Sequence, residues 1–285
     1  MATSSEEKSV KVLFPDEAKA FVAASMAGTY TLLDVRQPFE YEEAHLPGAK
    51  LIPLPRLLDA MEELDRRQPV LVYCAMGGRS RMAAQLLANQ GFGEVYQIQG
   101  GIDAWEEGTA SGPVAFHLTF VKGDEAPHEV ISIAYQMEEG LQRFHQEIRA
   151  RTVDPELRDL LTQLIKAEES HKKNLTELLE TLSKEDREKI VVMDLLSTSE
   201  RGLMEGGVDI AKFMHQNERY LQSVSGYLEI AMMVETQALD LYLRMAGEST
   251  NPISKKVLFH IGDEEKAHLA SLAKYLEKQA HSPSG

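Results

Sequence analysis

A chain of 285 residues is long for a single core, so two domains are the natural expectation. Its 43% apolar content is ordinary for a globular protein, and a formal net charge of -15 argues against nucleic-acid or anionic-membrane partners, whose phosphates it would repel. The N-terminal MATSSEEKSV holds no apolar run of the secretory type, and no stretch reaches the ~18 uncharged apolar residues of a membrane span. A cytoplasmic protein is therefore expected. The single cysteine excludes an intramolecular disulfide and every cysteine-only metal site within the chain.

In chain order, DEAKAFVAASM (16–26) reads as a helix and TLLDVR (31–36) as a buried strand. LPRLLDAMEELD (54–65) reads as a helix, PVLVYC (69–74) as a strand, SRMAAQLLANQG (80–91) as a helix capped by Gly91, and EVYQIQGG (94–101) as a strand. This alternation predicts an α/β domain over 1–110, built on a parallel sheet covered on both faces. GTASGP (108–113) opens a linker, placed at 111–125, in which VAFHLTF (114–120) is either a short strand or simply linker. From 126 to 285 the pattern is all-α, with four long helices at about 126–151, 154–183, 220–247 and 252–279. The long connection between the second and third holds a short helix within VDIAKFMHQN (208–217).

The helical half repeats. Glu138, Glu168 and His171 recur as Glu235, Glu265 and His268, each 97 residues on, and Asp154-Pro155 maps onto Asn251-Pro252 at the same offset. In the second helix Leu157, Leu161, Leu164, Glu168, His171, Leu175 and Leu178 step alternately by four and three, the seam of a bundle. The first helix runs Ile131, Ala134, Glu138, Leu141, His145 and Ile148, and the other two behave alike. Four glutamates and two histidines thus interrupt four apolar stripes near mid-helix.

Carboxylates converging in a dry core repel one another and lose hydration, at several kcal/mol each. A pair of divalent metal ions offsets both penalties. One Glu from each of two helices plus Glu-x-x-His from each of two others is a ligand set for such a pair in helix bundles, since Glu and His three apart share a face. The competing reading is a salt-bridged bundle without metal.

With MEEGLQRFH (137–145), AEESH (167–171), VETQALDLY (234–242) and DEEKAH (263–268), this half resembles the rubrerythrin-like branch of the ferritin superfamily. The resemblance implies a dinuclear centre of two iron ions, with manganese or zinc as substitutes. It also implies a Tyr seven residues after the glutamates of the first and third helices, as a hydrogen-bond partner behind the ligands. Tyr242 obeys this; His145 stands in the other place, as such a partner or as an extra ligand. One cysteine cannot build the four-cysteine iron site of rubrerythrins proper, so redox turnover would need an external electron donor.

Cys74 ends a strand and is followed by Ala75, Met76, Gly77, Gly78, Arg79 and Ser80, then a helix. Such a loop turns its N–H groups inward at a helix N-terminus that favours anions, which predicts a depressed thiol pKa and a nucleophilic sulfur. Gly77 and Gly78 allow the curvature, and Arg79 adds positive charge. The competing reading is an inert buried cysteine. LLDVRQPFEYEEAHLPGAKLIP (32–53), VYCAMGGRS (72–80) and GGIDAW (100–105) are similar to the signatures of single-domain rhodaneses. That resemblance implies a persulfide on Cys74, support of the loop by Asp34 and Arg36, and help from Arg79 in binding an anionic donor; His45 and Trp105 read as structural. Four residues separate Cys74 from Arg79, against five in related phosphatases, so the pocket suits sulfur better than phosphate.

The expectation is thus a sulfurtransferase with a small sulfur donor and a thiophilic acceptor, fused to a redox-active metal pair, with a homodimer implied by the resemblance. The rival expectations are an iron-storing or sulfur-sensing protein, and a bundle that only dimerises the first domain.

Overall fold

The alternating first half forms a five-stranded sheet: β1 (Lys11–Leu13), β2 (Thr31–Asp34), β3 (Lys50–Leu51), β4 (Val70–Tyr73) and β5 (Val95–Ile98), in the order β1-β5-β4-β2-β3. All pairings are parallel. The structure, a computed structural model, describes residues 10–112, 124–180, 203–204 and 208–280. The chain divides into two compact units, Met1–Phe116 and His117–Gly285. Every residue of β4 and β5 is buried, the pattern of strands covered on both faces. The helices of this unit are α1 (Pro15–Ala24), α2 (Pro38–Glu43) and α3 (Gly78–Asn89).

Residues 54–65 do not form the expected helix. They make two 3-10 turns, Leu54–Arg56 and Met61–Glu63. The amides of Ile52 and Leu54 are drawn to Asp34 O and Val35 O at the end of β2, and Leu57 and Leu64 N–H close three-residue turns onto Leu54 O and Met61 O. Leu57, Ala60, Met61 and Leu64 are still buried, so the apolar spacing reports the core face correctly while misreporting the backbone. At the end of α3, Gly91 has φ +88°, as its capping place requires, and Phe92 N–H returns to Leu87 O to seat a fully buried ring.

The second unit contains α4 (Pro127–Arg151), α5 (Pro155–Glu180), α6 (Ile210–Gln216), α7 (Val224–Glu248) and α8 (Pro252–Ala280). The expected short helix of the connection is α6, which follows the antiparallel pair β6 (Leu203–Met204) and β7 (Val208–Asp209). The segment 114–120 and most of the rest of that connection lie outside the described residues. The repeat is visible at the caps. Asp154 Oδ1 accepts from the amides of Glu156 and Leu157 at 2.9 and 3.1 Å, and Asn251 Oδ1 accepts from Ile253 and Ser254 at 2.9 and 3.2 Å.

Two apolar clusters occupy the bundle interior. One gathers Leu141, Leu161, Leu164, Leu228, Ala231 and Leu272; the other gathers Ile131, Ala134, Leu175, Ala238 and Ile261. Each helix therefore leaves one cluster and enters the other on either side of its Glu or Glu-x-x-His.

Candidate functional site

The strand-turn-helix order places Cys74 directly after β4 with its side chain buried. Gly77, at φ +106°, caps α3, and its N–H donates to Cys74 Sγ at 3.1 Å. Ser80 Oγ lies 3.6 Å from Sγ and donates to Gly77 O, which also accepts from Gln97 Nε2 at 3.2 Å. The sulfur thus faces an amide and a helix N-terminus, both presenting positive charge. Met76 is the exposed tip of the loop. From behind, Ile102 and Asp103 N–H donate to Cys74 O and Ala75 O at 2.9 and 3.1 Å. Gly101 permits that approach: a Cβ there would stand 2.1 Å from Cys74 O.

Asp34 and Arg36 are both buried and make a forked pair, with Nη2 2.7 Å and Nε 3.0 Å from Asp34 Oδ2. Arg36 also donates to Ala44 O at 2.6 Å and stacks over Tyr73, 5.5 Å from the ring centre, so the pair ties the ends of β2 and β4 together. His45 lies flat on Tyr41, 3.7 Å between rings, and Trp105 packs beneath Lys19.

Arg79 has a partner that the sequence reading missed. Both of its Nη atoms donate to Glu40, each at 2.6 Å. Glu40 is itself fixed at the start of α2, where its Oε2 accepts from Gln37 N–H at 2.9 Å. The hydrogen bonds from Arg79 hold the Glu40 carboxyl down to about 2. The pair is therefore complete above the usual carboxylate range and is lost only as pH falls toward about 2. Any anion recruited by Arg79 competes with Glu40. Glu40→Gln should tighten the binding of a small oxyanion such as sulfate beside Arg79 on the order of two- to fivefold; unchanged binding would mean that Arg79 does not reach the anion.

In the second unit the six expected ligands meet. Glu138, Glu168, Glu235 and Glu265 are each 1% exposed or less, and His171 and His268 are 8% and 9% exposed. Ligand atoms of Glu168, His171 and His268, of Glu138, His171 and Glu265, and of Glu235, Glu265 and His268 form groups within 4.8 Å of one another. His171 Nδ1 is 3.4 Å from Glu138 Oε2, and His268 Nδ1 is 3.6 Å from both Glu235 Oε2 and Glu265 Oε2. The two imidazoles stack 4.0 Å apart. Both oxygens of Glu138 and of Glu235 are buried without a hydrogen bond. Burying a leucine gains ~1.5–3 kcal/mol, while each unneutralised buried charge costs several. Stability alone would not retain this layer. Hard oxygen donors with two imidazoles, converging in one buried layer, fit a pair of divalent ions.

His145 joins the same layer, fully buried, with Nε2 3.5 Å from Glu168 Oε1. Burial pushes its imidazole down to about 4, so it is neutral at physiological pH. Its Nδ1 is 2.6 Å from the hydroxyl of Tyr227, a residue the sequence reading did not single out. Tyr242, expected behind the ligands, is buried and donates to Met137 Sδ at 3.8 Å.

Fold and site together define a two-domain protein: an α/β domain presenting a cysteine loop, and an all-α domain enclosing a carboxylate-histidine cluster. Comparison with known families agrees, with a rhodanese-like domain matched over residues 17–108 and rubrerythrin over 97–179. The chain is a fusion of a rhodanese-like domain and a rubrerythrin domain. The rubrerythrin match ends within α5, so α7 and α8 lie beyond it. Among solved structures, a rhodanese-like domain protein from Staphylococcus aureus is 28% identical, covering 36% of this chain and 98% of its own, with TM-score 0.33. A Rhodanese_3-like domain from an Anabaena protein is 35% identical over 27% and 90% of the two chains, with TM-score 0.26. A Rhodopseudomonas palustris protein described as a possible tyrosine phosphatase is 24% identical over 37% and 92%, with TM-score 0.31.

Proposed function

We propose that the protein moves sulfane sulfur through a Cys74 persulfide and couples this, in one chain, to a di-iron centre with peroxidase- or oxidase-type redox activity. The observation that supports the first activity is the Gly77 amide directed at Sγ at the N-terminus of α3. In the transfer, Cys74 sulfur attacks the outer sulfur of a donor such as thiosulfate. The donor S–S bond breaks, sulfite leaves with its electron pair, and the new S–S bond makes the persulfide. A thiophilic acceptor then attacks the outer sulfur, and the electron pair returns to Cys74 Sγ. The loop supplies the charge stabilisation and the Asp34–Arg36 fork supplies rigidity.

In the second unit Glu138, Glu168, His171, Glu235, Glu265 and His268 would hold two ions, iron first, with manganese or zinc as substitutes. Bound there, such a pair supplies electron exchange with peroxide or dioxygen. The protein's own contribution is a dry, aligned donor set. Reducing equivalents come from an external donor, because one cysteine cannot build a four-cysteine iron site to relay them. The net charge of -15 supports a role apart from nucleic acid and anionic membranes. No helix among the described residues is long and apolar enough to cross a membrane. We place the protein in the cytoplasm, as a homodimer.

The second reading, iron storage or sulfur sensing, rests on the same buried donors. The iron-loaded full chain, given excess peroxide and a chemical reductant, separates the two: repeated consumption of peroxide is expected from an enzyme. Consumption that stops after a single stoichiometric reaction would favour storage or sensing.

A further inference from the structure

Two of the places where the 97-residue repeat pairs unlike residues touch. His145 stands where the second half has Tyr242, and Tyr227 stands where the first half has Val130. Both His145 and Tyr227 are fully buried, and the phenol oxygen is 2.6 Å from His145 Nδ1. The other ring nitrogen, Nε2, is buried without a hydrogen bond. It is turned toward the carboxylate layer, and its ligand atom shares a 4.8 Å group with those of Glu168 and Glu235. A buried imidazole kept for packing alone would leave that nitrogen unsatisfied, at about 1–3 kcal/mol. A metal-bound histidine has the opposite habit: one nitrogen on the ion, the other hydrogen-bonded to a fixed partner that sets the tautomer.

The geometry points to His145 as a seventh protein ligand of the metal pair, one that would bind through Nε2 in company with Glu168 and Glu235, with Tyr227 as its positioning residue. This rests on the dinuclear reading above. In the ligating tautomer Nδ1–H donates to the Tyr227 oxygen and the Nε2 lone pair is free for the ion. The other half of the repeat offers Tyr242 at the matching place, with its hydroxyl on Met137 Sδ. The two ions are then inequivalent, one with an additional nitrogen donor, although the six repeated ligands are arranged in matching pairs.

The test uses the full chain loaded anaerobically with Co(II) in place of iron, read by metal content and by proton NMR. Metal-bound imidazoles give strongly shifted, exchangeable N–H signals. Three are expected in the wild type, from His145, His171 and His268, and two in His145→Gln. Tyr227→Phe should keep three signals while weakening one ion on the order of 10- to 100-fold and sparing the other. The wild-type signal count needs no variant to fold. Two bound Co(II) ions with only two signals would overturn the role of His145 and leave the dinuclear reading standing. Failure of the wild type to bind Co(II) at all would overturn both.

Discussion

Cys74→Ser is expected to abolish sulfur transfer from thiosulfate, by roughly three orders of magnitude or more, while leaving metal binding in the second unit unchanged. The chain has no other thiol to take over, so residual transfer cannot be rescued from within. A serine hydroxyl is the nearest isostere and can still accept from the Gly77 N–H, so the loss reports chiefly on the nucleophile. The readout is intact mass. Wild-type protein should gain one sulfur atom on exposure to thiosulfate and lose it to cyanide, and the variant should do neither. A variant that still gains sulfur, or still transfers it at a comparable rate, would place the reaction elsewhere.

The second large effect concerns the price of the metal layer in stability. Glu168→Gln combined with Glu265→Gln should bind no metal pair, because a carboxamide neither neutralises nor bridges two cations. The same variant, metal-free, should be more stable than metal-free wild type by about 1–4 kcal/mol, since mutual repulsion among four carboxylates converging in one buried layer is relieved at constant volume. Iron should reverse the order, because ligand binding to the folded state stabilises only the wild type, by roughly 2.7 kcal/mol for each of the two ions at a hundredfold excess over Kd. Thermal unfolding of both proteins with and without Fe(II), anaerobically, reads all four states. If removing the charges destabilises the metal-free bundle, the carboxylates are held by structural partners and not by absent cations.

Much of this was legible in the sequence. The carboxylate-histidine layer was visible because duplication printed it twice at one offset and because Glu and His interrupted apolar seams whose period was otherwise regular. The cysteine loop was visible through its strand, glycines and helix. What escaped has physical causes. Tyr227 sits at a position that the repeat does not duplicate, and its bond to His145 joins α7 to α4, a facing that periodicity cannot supply. Glu40 escaped because the short helix that carries it was not among the expected elements; only the folded chain shows one carboxylate both capping α2 and holding Arg79. The edge strands β1 and β3 span only three and two residues, too short for alternation to show. At 54–65 the burial period was right, and two 3-10 turns present the same apolar face that a helix would.

The central claim is that the second unit encloses a two-metal site, and metal content tests it most directly. Full-length protein, loaded anaerobically with Fe(II) and freed of loose metal, should carry about two ions per chain, and the Glu168→Gln, Glu265→Gln variant none. Wild-type protein with no bound iron, or a variant that keeps both ions, would contradict it.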